Sequence, residues 1–323
     1  MYPVLLADLG GTTSRFALGN ANGGVESVIA MPNEDLPGPA AAISHFLTYT
    51  GARPQSGVLA VAGPVEGDEI ALTNRAWRFR LSELAREFGL ARLHAINDFE
   101  AVAWSLFGLG PDAVQPIGPL ATVAPGPRVV CGPGTGLGAA ALMPVEGKGR
   151  GSWRVVATEA GHMSFGPSCD AEEPVFARLR AMGALSAESV LSGPGLVRLH
   201  QALNPGAEPL IAEAIAQRAR DGGAECVTTV TTFVRLLGRF AGDLALTFKA
   251  GTVYLAGGVA GRLMPLVDAK VFREGFEAHP PHDALMACMP SFVITEPEPG
   301  LIGCAVVAQE MLRSAPAVAS VRA

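Results

Sequence analysis

Asp8 ends the apolar run Leu5-Leu6-Ala7 and is followed at once by Leu9-Gly10-Gly11-Thr12 and a second apolar run. A run that is apolar without alternation fits a strand buried on both faces. Adjacent glycines let the backbone turn and come close to a bound group, and successive N–H groups in such a turn can face an anion. A carboxylate there cannot attract phosphate, but it can hold a magnesium ion beside phosphates, usually through water. Ala7 to Thr12 is therefore a candidate nucleotide-phosphate hairpin with Asp8 as its magnesium residue. The alternative is an ordinary Gly-Gly hairpin with an edge aspartate.

A second carboxylate, Asp98, follows the apolar run Leu93–Ile96 and opens the helical pattern Phe99, Val102, Ala103, Leu106, Phe107. Read locally, Asp98 caps that helix. The helix dipole would also keep it ionised. An ionised carboxylate can take a proton from a sugar hydroxyl as it attacks phosphorus, help worth about 10²–10⁴-fold. Glu159 and His162 lie three apart in a loop, and Glu188 lies in a Ser-Ala-Glu segment before another helix. Each has a plain reading: a solvated carboxylate, a core imidazole, a charge placed for a helix dipole. Together they supply what a polyhydroxylated ligand requires. The lone histidine and the distant cysteines argue against a metal site at His162.

Buried strands and helices must place these groups. Val58–Ala62, Leu93–Ile96, Val129–Cys131, Trp153–Thr158 and Val253–Ala256 read as strands. Helical patterns begin at Pro39 (Ile43, Phe46, Leu47) and Leu81 (Leu84, Ala85, Phe88), and run through Leu196–Leu203, Val230–Leu244 and Leu301–Leu312. Strands alternating with helices indicate an α/β domain with a largely parallel sheet, whose ligands lie at the carboxyl ends of strands. Asp8 and Asp98 both occupy such ends. The Gly- and Pro-rich stretch Gly108–Arg128 reads as a crossover between domains. After it the opening is repeated: a strand, the turn Gly132–Gly138, a second strand, which suggests a duplicated domain with a cleft. Gly10-Gly11, Gly134–Gly138 and Gly257-Gly258 then suit a nucleotide gripped from both sides. No Walker-type loop is present.

The 323 residues allow two domains, and the net charge of −6 with no basic stripe counts against nucleic acid and an anionic membrane surface as partners. Five scattered cysteines suggest neither a zinc ribbon nor a disulfide scaffold. No signal peptide or membrane span is read, so a cytoplasmic location is expected.

Taken in order, Asp8-Leu9-Gly10-Gly11-Thr12, Thr73-Asn74 with Trp77, Ile96-Asn97-Asp98-Phe99, Gly134-Thr135-Gly136-Leu137-Gly138, Glu159-Ala160-Gly161-His162, Ser186-Ala187-Glu188, Leu191 to Gly195 and Leu255-Ala256-Gly257-Gly258 resemble the bacterial glucokinase family over nearly the whole chain. The resemblance implies duplicated ribonuclease-H-like (actin-like ATPase) domains, with ATP and glucose in the interdomain cleft. It implies a small domain of residues 1–108 plus 303–323 and a large one of 109–302. Asp98 would be the base on the glucose 6-hydroxyl, with Asn97, Glu159, His162 and Glu188 on the other hydroxyls. Ala7, Asp8, Leu9, Gly10, Gly11 and Thr12 would form the first phosphate segment, Gly134, Thr135 and Gly136 the second, and Gly257 and Gly258 the adenosine segment. The expected cofactors are ATP and Mg2+, and the expected assembly is a homodimer. Thr73, Asn74 and Trp77 receive no role. The related repressor–kinase group carries a zinc-binding cysteine motif after the histidine. Here Ser164 to Asp170 holds only Cys169, so structural zinc is not expected. The activity implied is ATP-dependent phosphorylation of glucose; a kinase for mannose or fructose, or an idle sugar sensor, are the rivals.

Overall fold

The computed structural model describes residues 3–20, 22–73, 75–145 and 153–313. Asn74 and residues 314–323 of the expected small domain lie outside the described residues. The first elements are β1 (Val4–Leu9), β2 (Thr13–Gly19), β3 (Val25–Pro32), α1 (Pro39–Thr50), β4 (Ser56–Val61), β5 (Glu69–Ala71), β6 (Arg78–Arg80), α2 (Leu81–Glu87), β7 (Arg92–Asn97) and α3 (Asp98–Ser105). There follow β8 (Val114–Pro116), β9 (Arg128–Pro133), β10 (Leu137–Pro144), β11 (Trp153–Thr158), α4 (Glu173–Ala181), α5 (Gly193–Leu203), α6 (Ala212–Arg220) and α7 (Ala224–Thr247). The chain closes with β12 (Thr252–Leu255), α8 (Gly258–Leu263), α9 (Ala269–Glu277), α10 (Asp283–Ala287), β13 (Ser291–Ile294) and α11 (Pro299–Arg313). No described helix is long and apolar enough to cross a membrane.

The chain forms two compact units. The first takes in the described residues up to Leu109 and those from Pro297; the second holds Gly110–Val145 and Trp153–Glu296. In the first unit the sheet order is β3-β2-β1-β4-β7. β1 to β3 form an antiparallel meander, and β4 and β7 add parallel to β1. The period of two in β1 divides its apolar run between two cores. Leu5, Ala7 and Leu9 pack with Ile43 and Phe46 of α1, whereas Val4 and Leu6 pack with Leu301, Cys304 and Ala308 of α11. The same alternation puts Asp8 on the α11 side.

In the second unit the order is β11-β10-β9-β12-β13-β8. β9 to β11 repeat the antiparallel meander, and β12 and β13 repeat the two parallel additions. The duplication anticipated from the glycine turns is thus a duplication of topology, with β8 as an extra antiparallel edge strand. The stretch Gly108–Arg128 is therefore more than a connector, because it contributes β8 to the second sheet. Its short strand carries no apolar run to announce it. α7 lays Cys226, Val230, Phe233, Val234, Leu237, Phe240, Ala241 and Leu244 into one core, at the spacing an amphipathic helix requires.

Close approach of helices fixes the first unit's site-bearing elements. A Cβ on Gly303 of α11 would lie 1.7 Å from the carbonyl oxygen of Ala101 in α3. Backbone cannot yield as a side chain can. Gly303→Ala is expected to destabilise the protein by about 1–3 kcal/mol or more and to lower turnover, because α3 begins at Asp98 and the first turn of α11 lies against Asp8. Equilibrium denaturation and steady-state rates check this, and a variant of unchanged stability would contradict it.

Candidate active site

In the first unit, β1, β4 and β7 end level with one another: Leu9 pairs with Val61, and Val61 with Asn97. Neighbouring strands lie about 4.8 Å apart, so the ends carrying Asp8 and Asp98 are separated by roughly 10 Å of backbone. Asp8 Oδ2 lies against Gly300, where an added Cβ would come within 2.8 Å of it. The carboxylate therefore faces the first turn of α11. Across the strand pair from Asp8 stands Arg15, which is bound to Glu298 at 2.6–2.8 Å. Burial pushes Asp8 up to about 6, with Arg15 lowering and Glu298 raising it.

The glycine turn after Asp8 is held from outside the motif. Asn33, fully buried, donates its amide to the carbonyl of Gly10 at 2.7 Å and accepts from Ser14 Oγ at 2.7 Å. Its backbone N–H donates to Thr12 O at 2.9 Å. Arg75 donates to the carbonyl of Asn33 and stacks its guanidinium 4.7 Å from the centre of the Trp77 ring. With the carbonyls of Gly10 and Thr12 so bound, the turn has a fixed shape. Asn33 and Arg75 were not singled out above, because an asparagine after a proline reads as an exposed turn residue.

The local reading of Asp98 needs one correction. The helix cap is Asn97, whose Oδ1 accepts from the N–H groups of Phe99 at 2.9 Å and Glu100 at 3.2 Å. Asn97 has extended backbone, so helical geometry starts one residue earlier than expected, at Asp98 itself. Asp98 Oδ1 accepts from the adjacent N–H of Phe99 at 2.9 Å. Asn97 also donates its amide to Gly63 O at 3.2 Å, at the loop that follows β4. Thr73 joins the same corner, donating its N–H to Ala62 O at 3.0 Å. Trp77 is buried in the core beneath α1.

In the second unit the other two glycine turns are neighbours. A Cβ on Gly132 would lie 1.8 Å from Ala256 O, and one on Gly257 would lie 2.4 Å from Pro133 O. Gly257 also has φ +89, open to glycine but strained for other residues. The carbonyl of Gly134 accepts from Gly193 N–H at 2.9 Å, so the start of α5 abuts the turn Gly134-Thr135-Gly136. Ser192 caps α5 through its Oγ, accepting from Gly195 N–H at 3.0 Å. Gly193 is a participant that the sequence motif contained but to which no role had been given.

Glu159, His162 and Glu188 are brought together. Ala160–His162 is a single 3₁₀ turn, and Glu159 and His162 approach at 3.7 Å with both side chains exposed. Glu188 N–H donates to Gly161 O at 2.8 Å. The carboxylate of Glu188 accepts from Leu137 N–H at 2.8 Å, just after the second glycine turn. Glu188 therefore ties that turn to the Glu159–His162 segment, instead of sitting at a helix start for dipole reasons. Gly161 cannot carry a side chain, since its Cβ would lie 2.0 Å from Leu137 O. Among the described residues no three His, Cys, Asp or Glu side chains gather as a metal cluster.

Two units of one topology, each with a glycine turn between its first two strands, define a sugar kinase of the actin-like ATPase fold once set beside proteins of similar structure. A glucokinase from an Antarctic psychrotroph superposes with a TM-score of 0.82 at 31% identity, over 96% of this chain and 99% of that one. A glucokinase from Balamuthia mandrillaris, solved in complex with glucose, gives 0.81 at 24% identity over 95% and 94%. The Glucokinase family profile matches residues 5–311. The glucokinase of Allorhizobium ampelinum is 38% identical over 317 residues, covering 95% of this chain and 92% of that protein. The chain belongs to the glucokinase family.

Proposed function

We propose that the chain transfers the terminal phosphoryl group of ATP to the 6-hydroxyl of glucose, with Asp98 as the general base. The observation that carries the reading is the division of labour at Asn97-Asp98. Asn97 is the helix cap, accepting from both Phe99 and Glu100, while Asp98 at the first helical position accepts from Phe99 N–H through Oδ1 alone. Family membership supports ATP and glucose as the substrates. Asn97, Glu159, His162 and Glu188 would bind the remaining hydroxyls, each as acceptor or donor to a ring oxygen substituent. A site built on such bonds rejects analogues that lack one by up to about 10⁴–10⁵-fold.

Ala7, Asp8, Leu9, Gly10, Gly11 and Thr12 would hold the first phosphate edge, Gly134, Thr135 and Gly136 the second, and Gly257 and Gly258 the adenosine. The rigid first turn, with two carbonyls already bound by Asn33, suits N–H groups aimed at an anion. Asp8 fits magnesium: it is a hard oxygen donor at a strand end, and burial without a cation already raises its pKa to about 6. When bound, Mg2+ neutralises phosphate charge in the transition state. Asp8 orients it, Asp98 takes the hydroxyl proton, and the glycine turns hold the donor in line.

ADP release from ATP-Mg measured against glucose, mannose and fructose tests the reading. Glucose is expected to give a kcat/KM about tenfold or more above the other two. Preference for mannose or fructose would move the assignment to another hexose. Glucose binding without ADP release would make the chain a sensor and remove the catalytic role of Asp98.

A further inference from the structure

The side chains of Glu159 and His162 are exposed, and among the described residues their ion-pair partner is each other. Their placement must come from the backbone and from whatever anchors it further on. One anchor lies behind them. Gly161 O and Met163 O accept from Glu188 and Ala187 N–H groups at 2.8 and 2.9 Å, and Ser164 bridges to Ser186. The chain then enters the segment Phe165–Glu172, which folds around one guanidinium.

That guanidinium is Arg239 of α7. It donates through Nη2 to Gly166 O at 2.6 Å and through Nη1 to Glu172 Oε2 at 2.8 Å. It also lies 4.4 Å from the centre of the Phe165 ring and 5.9 Å from that of Phe176. Glu172 is 6% exposed, and its carboxylate further accepts from Ser168 N–H at 2.9 Å and Ser168 Oγ at 3.2 Å. Arg235, one turn earlier on α7, approaches its other oxygen at 3.3 Å. Burial alone would raise Glu172, but the Ser168 N–H and Arg239 outweigh it and hold the carboxyl below its ordinary range. The pair is ionised and directional. An apolar contact could join α4 to α7 without the desolvation cost of two charges. What the charges add is a fixed position for Phe165, Gly166 and Ser168 at once.

We propose that Arg239 and Glu172 are positioning residues for sugar recognition, clamping the Phe165–Glu172 segment so that Glu159–His162 meets Glu188 in the binding geometry. The inference rests on the glucose-kinase reading above. It is tested with Glu172→Gln, Arg239→Met and Arg239→Lys in the full-length enzyme, measuring KM for glucose and for ATP, kcat and the thermal midpoint. The first two variants are expected to raise the glucose KM by about 10- to 10²-fold while the ATP KM stays within about twofold. Arg239→Lys keeps the charge but loses the two-pronged fork, and recovers only part of the loss. Folded variants with a wild-type glucose KM, or an equal rise in both KM values, would overturn the proposal.

If the variants do not fold, hydrogen exchange on the wild-type enzyme decides the matter. Glucose should slow exchange across Gly166–Glu172 as well as Gly161–Met163, and protection confined to Gly161–Met163 would overturn the clamp. A wild-type enzyme that neither binds nor phosphorylates glucose fails the underlying reading, and the clamp's role falls with it. A wild-type enzyme active on glucose beside unshifted variants fails the clamp alone.

Discussion

Asp98→Asn is expected to lower kcat for glucose by about 10²–10⁴-fold while glucose affinity stays within about threefold. The asparagine has the same shape and still offers an oxygen to Phe99 N–H, the bond that Asp98 Oδ1 makes at 2.9 Å. The helix start would survive, because Asn97 caps it through the N–H groups of Phe99 and Glu100 whatever stands at residue 98. What is lost is a group able to take a proton. Single-turnover rates with a separate glucose titration would divide the two effects. Near-wild-type turnover would remove Asp98 from the base role, and equal loss of binding and turnover would make it a binding residue.

Asp8→Asn should move activity and stability in opposite directions. Asp8 has a folded pKa of about 6 against an ordinary 3.8, so the fold favours its protonated form. The stability it contributes is fully present below the unfolded value and is lost as pH rises through about 6. At pH 8 the charged carboxylate then costs the metal-free protein about 2–3 kcal/mol. The neutral variant should be more stable than the parent by about that amount at pH 8 and by almost nothing at pH 4. Apparent magnesium affinity should fall by about 10–100-fold. In the parent enzyme, turnover at limiting magnesium should rise with pH through about 6 and then level. Denaturation of both proteins across that range, without metal, checks the sign. A variant less stable at pH 8 would mean that Arg15 already neutralises Asp8.

Asp8 to Thr12 was legible because strand, carboxylate and turn are contiguous, and a continuous apolar run means the same thing wherever it lies. The second and third glycine turns were legible for the same reason, though their contact, Gly132 against Ala256, was not. That contact depends on β9 and β12 being parallel neighbours, which is a fact about pairing. Asn33 stayed hidden because its partners, Gly10, Ser14 and Arg75, are spread over the first unit. Glu172 and Arg239 are farther apart still, 67 positions along the chain. A buried charge pair of that separation has no local pattern. The cap at Asn97-Asp98 failed differently. Both residue types cap well, and only backbone geometry says which of two adjacent candidates is extended.

One feature of the first unit bears on how the protein is made. Its sheet face formed by Val4, Leu6, Val58, Ala60 and Ile96 is covered by Leu301, Cys304, Ala305 and Ala308 of α11. On the ribosome those covering residues emerge only after all of Gly110–Glu296. The second unit thus has its own strands and helices available while the first still shows a bare apolar face. Emerging chains of this size tend to fold unit by unit, and exposed apolar surface in that interval invites aggregation. The first unit, which carries Asp8 and Asp98, is completed only after the second has emerged, so those two carboxylates acquire their setting late.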